Sequence, residues 1–328
     1  MMLETLHVSC DCSYSNANDT FDSRVVPNFT AFTSPTPTAC LSSPLHNNRR
    51  PNTSSSSASV SAASPSSAPP VDEDIGHDHY NYSVVQDETN HKWYDVVLNQ
   101  CNITNNSNNN KYYIIQLLQK GDSNNRHNHN ATNDTNQFYV WTKWGRVGGC
   151  TGSAMKGPFT TVQGARTVFA KKYRDKTANS WNDDDGAFQP KQKKYTKIDV
   201  DNRVRQSIMK THSWNQRNIF NVTLREMPVG ILTDKQIQSG IKILDQIKNK
   251  LQACANCSSS NSSDSDNASS YAKLSSQFYT AIPHPFSLWT RPPVISNFGL
   301  LSDSYDKCQR IRNELEQLKC MQTAMNNN

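Results

Sequence analysis

Three short runs constrain this chain more than anything else in it: "KWYDVVLN" (92–99), "KYYIIQLL" (111–118) and "QFYVWTKW" (137–144). Each is rich in aromatic and β-branched residues and bounded by Asn or Gly clusters, the pattern of successive antiparallel strands. After the turn "VGGCTG" the period changes. In "GPFTTVQGARTVFAKKYRDKT", Ala165, Val168, Phe169 and Tyr173 recur at helical spacing, and Thr160 with Gln163 fits a capping box. "KKYTKIDV" (193–200) returns to alternation through Tyr195, Ile198 and Val200. The fold class read from this order is α+β: a small antiparallel sheet with a packed helix, over 87–203.

Either side of that domain the sequence changes character. Residues 1–86 hold little periodic apolar pattern and include "PNTSSSSASVSAASPSSAPP" (51–70), in a chain that is only 35% hydrophobic. Such a tract buries too little apolar surface to offset its ordering entropy, so a long disordered N-terminal region is expected. Asn- and Ser-rich runs at 102–110, 122–136 and 258–270 read as expanded loops between elements. Residues 204–328 are predicted to form a partial all-α bundle. There, "TDKQIQSGIKILDQIKNKL" (233–251) offers Thr233 and Gln236 as a capping box and places Ile237, Ile241, Leu244, Ile247 and Leu251 on one face. "SDSYDKCQRIRNELEQLKCM" (302–321) places Cys308, Ile311, Leu315 and Leu318 on a similar stripe.

Several function classes are disfavoured. No run of about 18 apolar residues occurs, so no membrane span or membrane partner is expected. The start, "MMLETLHVSCDCSY", has an acid at Glu4 and no apolar run fit for a signal peptide. The nine cysteines are odd in number and irregularly spaced, and Cys254 and Cys257 lack the second ligand pair that zinc needs. Free thiols in a reducing compartment and no metal are expected. No Gly-rich dinucleotide loop is present, so neither a catalytic residue nor a cofactor is assigned within the chain.

Charge is distributed unevenly. Residues 1–137 carry 7 Lys/Arg against 13 Asp/Glu, residues 138–210 carry 15 against 6, and the remainder 12 against 9. The basic excess opens with "FYVWTKWGRVGG" (138–149), which has two tryptophans and no acid. A local cationic field with aromatic side chains in it is a footprint for phosphate-rich partners, although basic residues alone more often form a solvated face.

These residues carry a resemblance. Trp144-Gly145-Arg146 in "VWTKWGRVG" is the signature of the WGR domain of the DNA-dependent poly(ADP-ribose) polymerases. "YDVVLNQCNITNNSNNNKYYIIQLL" resembles that family's opening strands, "KGPFTTVQGARTVFAKKYRDKTANSWND" its helix and Lys-Thr-x-Asn-x-Trp, and "KKYTKIDV" its Gly-Lys-Tyr strand. Further on, "MPVGILTDKQIQSGIKIL", "SQFYTAIPHPF" and "RPPVISN" resemble segments of its regulatory helical domain. The chain departs from the pattern at Pro285 and Ser287, in one residue added within "RVGGCTG", and in a shortened segment before Met227.

The resemblance implies a module that grips duplex DNA ends and nicks without reading sequence, in a nucleus and in DNA damage response. Trp144 would pack on the end nucleotide. Asn110, Lys111 and Tyr195 would line the path of the terminal phosphate and backbone. Arg146 would contact DNA and also join the two domains. Trp141 and Trp181 are expected in the core. A separate ADP-ribosyltransferase or repair protein is a further implied partner. No catalytic transferase domain is recognisable before Asn328, so the chain alone is expected to be inactive, and NAD would enter only with a transferase domain that follows. The alternatives are a piece of a DNA-activated, NAD-dependent ADP-ribosyltransferase and an adaptor that has lost DNA binding.

Overall fold

A computed structural model describes residues 4–7, 68–77, 79–121, 137–181, 187–200, 229–256, 264–286 and 290–326. Residues 1–10 and 67–328 form one compact unit, and a second, 11–66, lies wholly outside the described residues. The elements of the first, in chain order, are β1 (Glu4–His7), β2 (Tyr82–Val84), β3 (Asp95–Asn102), β4 (Asn109–Lys120), β5 (Gln137–Arg146) and β6 (Thr151–Phe159). There follow α1 (Val162–Thr177), β7 (Thr196–Ile198), α2 (Asp234–Asn256), α3 (Asp264–Ala281) and α4 (Phe298–Asn326). The fold is α+β.

All strand pairs are antiparallel, in the order β1-β6-β5-β4-β3-β7, and β2 takes the edge of β4 beyond the start of β3. The sheet is covered on both faces, and side-chain alternation sorts the residues. Tyr113, Ile115 and Leu117 of β4 and Phe138 and Val140 of β5 meet Ala165, Phe169 and Tyr173 of α1. Trp181 is buried in the same cluster. The opposite face is shared. Trp141 packs with Val84 and Leu118, whereas Val97, Cys101, Tyr112 and Ile198 merge with the apolar faces of α2, α3 and α4 into a single core.

That core contains the residues the helical periodicity selects. Ile237, Leu244, Ile247 and Leu251 of α2 and Cys308, Ile311, Leu315 and Leu318 of α4 are buried, and Ile241 is half-buried against them. Trp141 and Trp181 are buried as expected. Where β7 ends, β3 would leave an open edge. Hydroxyls of α3 close it: Cys101 N donates to Thr280 Oγ1 at 2.9 Å and Ile103 N to Ser276 Oγ at 3.1 Å.

Five features differ from the expectation. The strand β6 has no counterpart among the predicted strands. The cap of α1 is Thr161, whose Oγ1 accepts from Gly164 N at 3.3 Å, rather than Thr160. Thr233 caps α2, accepting from Gln236 N at 3.2 Å, but Gln236 does not return the bond. Its amide joins two other elements instead, accepting from Asp199 N and donating to the Ala281 carbonyl oxygen, both at 2.9 Å. The N-terminal disordered region also ends earlier than residue 86. Gln116 Nε2 donates to Pro70 O at 2.9 Å, and Lys143 Nζ lies 2.8 Å from Asp74 and 3.3 Å from Asp72, so residues 70–75 are strapped to the sheet ahead of β2. Residues 4–7, also inside that expected region, form β1 on the edge of β6. The expected 258–270 loop is helix from Asp264 onward, the start of α3. Residues 1–3 and 8–67, the 122–136 loop, residues 258–263 and the shortened 203–226 segment lie outside the described residues. Among the described residues no helix is long and apolar enough to cross a membrane.

Candidate nucleic-acid interface

Trp144 sits in a row of three across the sheet: Tyr113 on β4 pairs with it on one side and Gly152 on β6 on the other. Its indole stacks on the Tyr113 ring, with centroids 5.8 Å apart and planes 12° from parallel. A Cβ on Gly152 would lie 3.0 Å from the indole, so the absent side chain there gives the ring its bed. Trp144 is half-buried and packs at the margin of the α1 core. The glycine beside it has a different reason. A Cβ on Gly145 would come within 2.5 Å of the Cys150 carbonyl oxygen, so the β5–β6 turn closes only on glycine.

Beside the indole lies a recess of about 240 Å³ lined by Asn108, Asn109, Lys111, Trp144, Arg146 and Tyr195 and by the chain at Asn110 and Gly145. None of these residues is an acid. The Lys111 ammonium is 5.4 Å from the Tyr195 ring centre, and Tyr195 meets Tyr113 edge-on at 6.0 Å. Burial pushes the Tyr195 hydroxyl up to about 12, so it is a neutral donor at physiological pH. Arg146 holds the rim. Its guanidinium donates to the Asn108 carbonyl at 3.1 Å, to Asn108 Oδ1 at 3.0 Å and to the Thr290 carbonyl at 3.1 Å. The last bond reaches Thr290, in the segment between α3 and α4.

Asn110 is the correction. The strand β4 begins at Asn109, so alternation puts the Asn110 and Lys111 side chains on opposite faces. Asn110 is 1% exposed and its Nδ2 donates to the His284 carbonyl at 2.8 Å. Its side chain ties sheet to helices and does not enter the recess. Two of the departures from the family pattern, the lengthened turn and Pro285, meet at the same seam. A Cβ on Gly148, whose φ is +75°, would come within 2.5 Å of Pro285 Cβ, so the lengthened turn fits directly against the substituted residue.

Sequence reasoning missed Lys176. It lies in the last turn of α1, and its ammonium sits 4.3 Å from the Tyr113 ring centre. Burial lowers its pKa, and the charges of Lys172, Lys111 and Lys194 lower it further. The pair Lys172 and Lys176, one helical turn apart in the basic segment, was the available signal. The arrangement as a whole offers an aromatic plane, neutral donors and clustered ammonium groups, which suits a planar ring attached to a phosphate. Among the described residues no group of three or more His, Cys, Asp or Glu is placed to hold a metal ion.

Comparison with known proteins agrees with this architecture. Residues 94–188 match the WGR domain, and residues 202–328 match the poly(ADP-ribose) polymerase regulatory domain. The chain is 32% identical to the human protein mono-ADP-ribosyltransferase PARP3, over 65% of this chain and 42% of that protein. It is 28% identical to the mouse PARP3 over 66% and 42%. It is 27% identical to poly [ADP-ribose] polymerase 1 of Xenopus laevis over 49% of this chain and 17% of that one. The chain thus spans under half the length of these relatives.

Proposed function

We propose, for a chain that belongs to the poly(ADP-ribose) polymerase family by its WGR and regulatory domains, that it recognises broken ends of duplex DNA. Its place would be the nucleus, in the response to DNA damage. One observation carries the reading: a half-exposed indole, bedded on Tyr113 and Gly152, borders an acid-free recess that Lys111 and Tyr195 line. A break differs from intact duplex in its terminal sugar, base face and phosphate. An aromatic plane gains about 1–3 kcal/mol from a stacked base, and only an end or nick presents one to a surface side chain. Lys111, Tyr195 and Arg146 would hold the phosphate and backbone, contacts that fix position without reading sequence. The test is a titration of the purified chain with blunt duplex and with closed circular DNA at equal phosphate concentration. Tighter binding to ends supports the reading, and equal binding removes it.

A second reading adds to the first. The relatives named above are ADP-ribosyltransferases, which favours a role for this module in such an enzyme, with NAD as the substrate of a transferase domain rather than of these residues. A separate transferase or repair protein would serve equally. Measuring NAD consumption by the whole gene product with and without broken DNA tests it: stimulation by breaks supports the role, and its absence counts against it.

A further inference from the structure

The recess does not end the run of cations and rings. Lys111 lies over Tyr195, Tyr195 meets Tyr113 edge-on, and Lys176 lies over Tyr113, so two ammonium groups rest on two touching tyrosines. The Tyr113 ring is also the one that stacks on Trp144, which puts the Lys176 ammonium within about 10 Å of the indole centre. We propose that Lys176 forms a second anion subsite, taking a backbone phosphate of the same strand whose end rests on Trp144. This rests on the end-recognition reading above.

Three elements converge on the subsite: Lys111 comes from β4, Lys172 and Lys176 from α1, and Lys194 from the loop before β7. Among the described residues, the charges acting on Lys176 are these three lysines and one acid, Asp175. Like charges gathered in a half-buried place destabilise each other, and a phosphate placed among them removes that cost. A plainer account covers part of this. A lysine in the last turn of a helix is favoured by the helix dipole, and an ammonium over a tyrosine ring is a cation–π contact. Lys194 has such an account too, since its ammonium donates to the Asp175 carbonyl at 2.9 Å, at the end of the same helix. None of these contacts explains why Lys111 of β4 meets the group as well. The spacing suits a nucleic-acid strand. Phosphates along one strand advance by about 3.4 Å per nucleotide along the duplex axis, so a group ~10 Å away lies within the first few.

The experiment is the salt dependence of binding to a blunt duplex, using the full 328-residue chain. Removing one phosphate-neutralising cation lowers the slope of log affinity against log salt by about 0.9. Lys176→Gln and Lys176→Met should each lower it by about that amount, the Met variant keeping the apolar stem over Tyr113. Lys176→Arg should preserve the slope. Lys171→Gln, an exposed lysine on the same helix, should leave it unchanged. Lys111→Gln combined with Lys176→Met should lower it about twice as much as either alone. If the unmodified chain prefers ends but both neutral variants keep its slope, the subsite is wrong and the end reading stands. An equal fall in slope on closed circles would also overturn the subsite. If the unmodified chain has no preference for ends, the end reading itself has failed.

Discussion

Asn110 Nδ2 donates to the His284 carbonyl oxygen at 2.8 Å, joining the start of β4 to the segment that follows α3. The neighbouring residue in sequence, Lys111, faces the recess on the other side of the sheet. Two adjacent residues therefore serve different ends, one joining the sheet to the segment after α3 and the other lining the recess. Arg146, bonded to Asn108 and Thr290, repeats the link across the same seam.

Asn110→Ala should lower stability by about 1–3 kcal/mol, because it removes a buried amide and leaves the part-buried His284 carbonyl without its donor. End affinity and its salt slope should change little in the folded protein. Chemical denaturation and a salt series check the two parts separately. A reduced salt slope with unchanged stability would return Asn110 to the recess.

Gly152→Val should tilt Trp144 rather than unfold the sheet. The added Cβ starts 3.0 Å from the indole, and a valine suits a strand. End binding should weaken toward the level of Trp144→Ala, by ~1–3 kcal/mol, with the near-ultraviolet dichroism of the indole altered. Unchanged affinity would show that the bed is not needed.

His284 gives a pH signature. Burial pushes its pKa down to about 4 from an ordinary 6.5, against a hydrogen bond of 2.6 Å to the Ile282 carbonyl. The unfolded chain therefore binds more protons between those values, so stability rises with pH across that window. The contribution is complete above 6.5 and is lost as pH falls toward 4. His284→Gln should flatten the stability curve over the upper part of that window, pH 6.5 to about 5, where few carboxylates titrate. An unchanged curve would place His284 in water.

How much of this was legible depends on the residue. Periodicity located α1, α2 and α4 because each presents an apolar face every three to four residues, and it separated Trp141 from Trp144 because a strand alternates. It missed β6, since "TGSAMKGPF" has two glycines, a proline and no aliphatic alternation. It put Asn110 beside Lys111 because a turn imposes no alternation, and β4 reaches further back than the apolar run shows. Lys176 was invisible for another reason. Helical period shows that a lysine ends α1, but only packing shows that it reaches Tyr113 on another element.

Trp141→Ala separates the two faces energetically. Trp141 is 3% exposed and packs with Val84 and Leu118, so truncation should cost about 3–5 kcal/mol. End affinity of the remaining folded protein should be kept. A stable Trp141→Ala protein that no longer binds ends would mean that the ligand lies on the other face.

The most direct measurement is the end preference of Trp144→Ala. Anisotropy titrations of the unmodified and Trp144→Ala chains with blunt duplex, competed by closed circular DNA, report it at one salt concentration. The unmodified chain should favour ends, and the variant should lose ~1–3 kcal/mol on ends alone, with its binding to closed circles and its melting temperature nearly unchanged. A variant that keeps the full end preference, or an unmodified chain that binds circles as tightly as ends, would contradict the account.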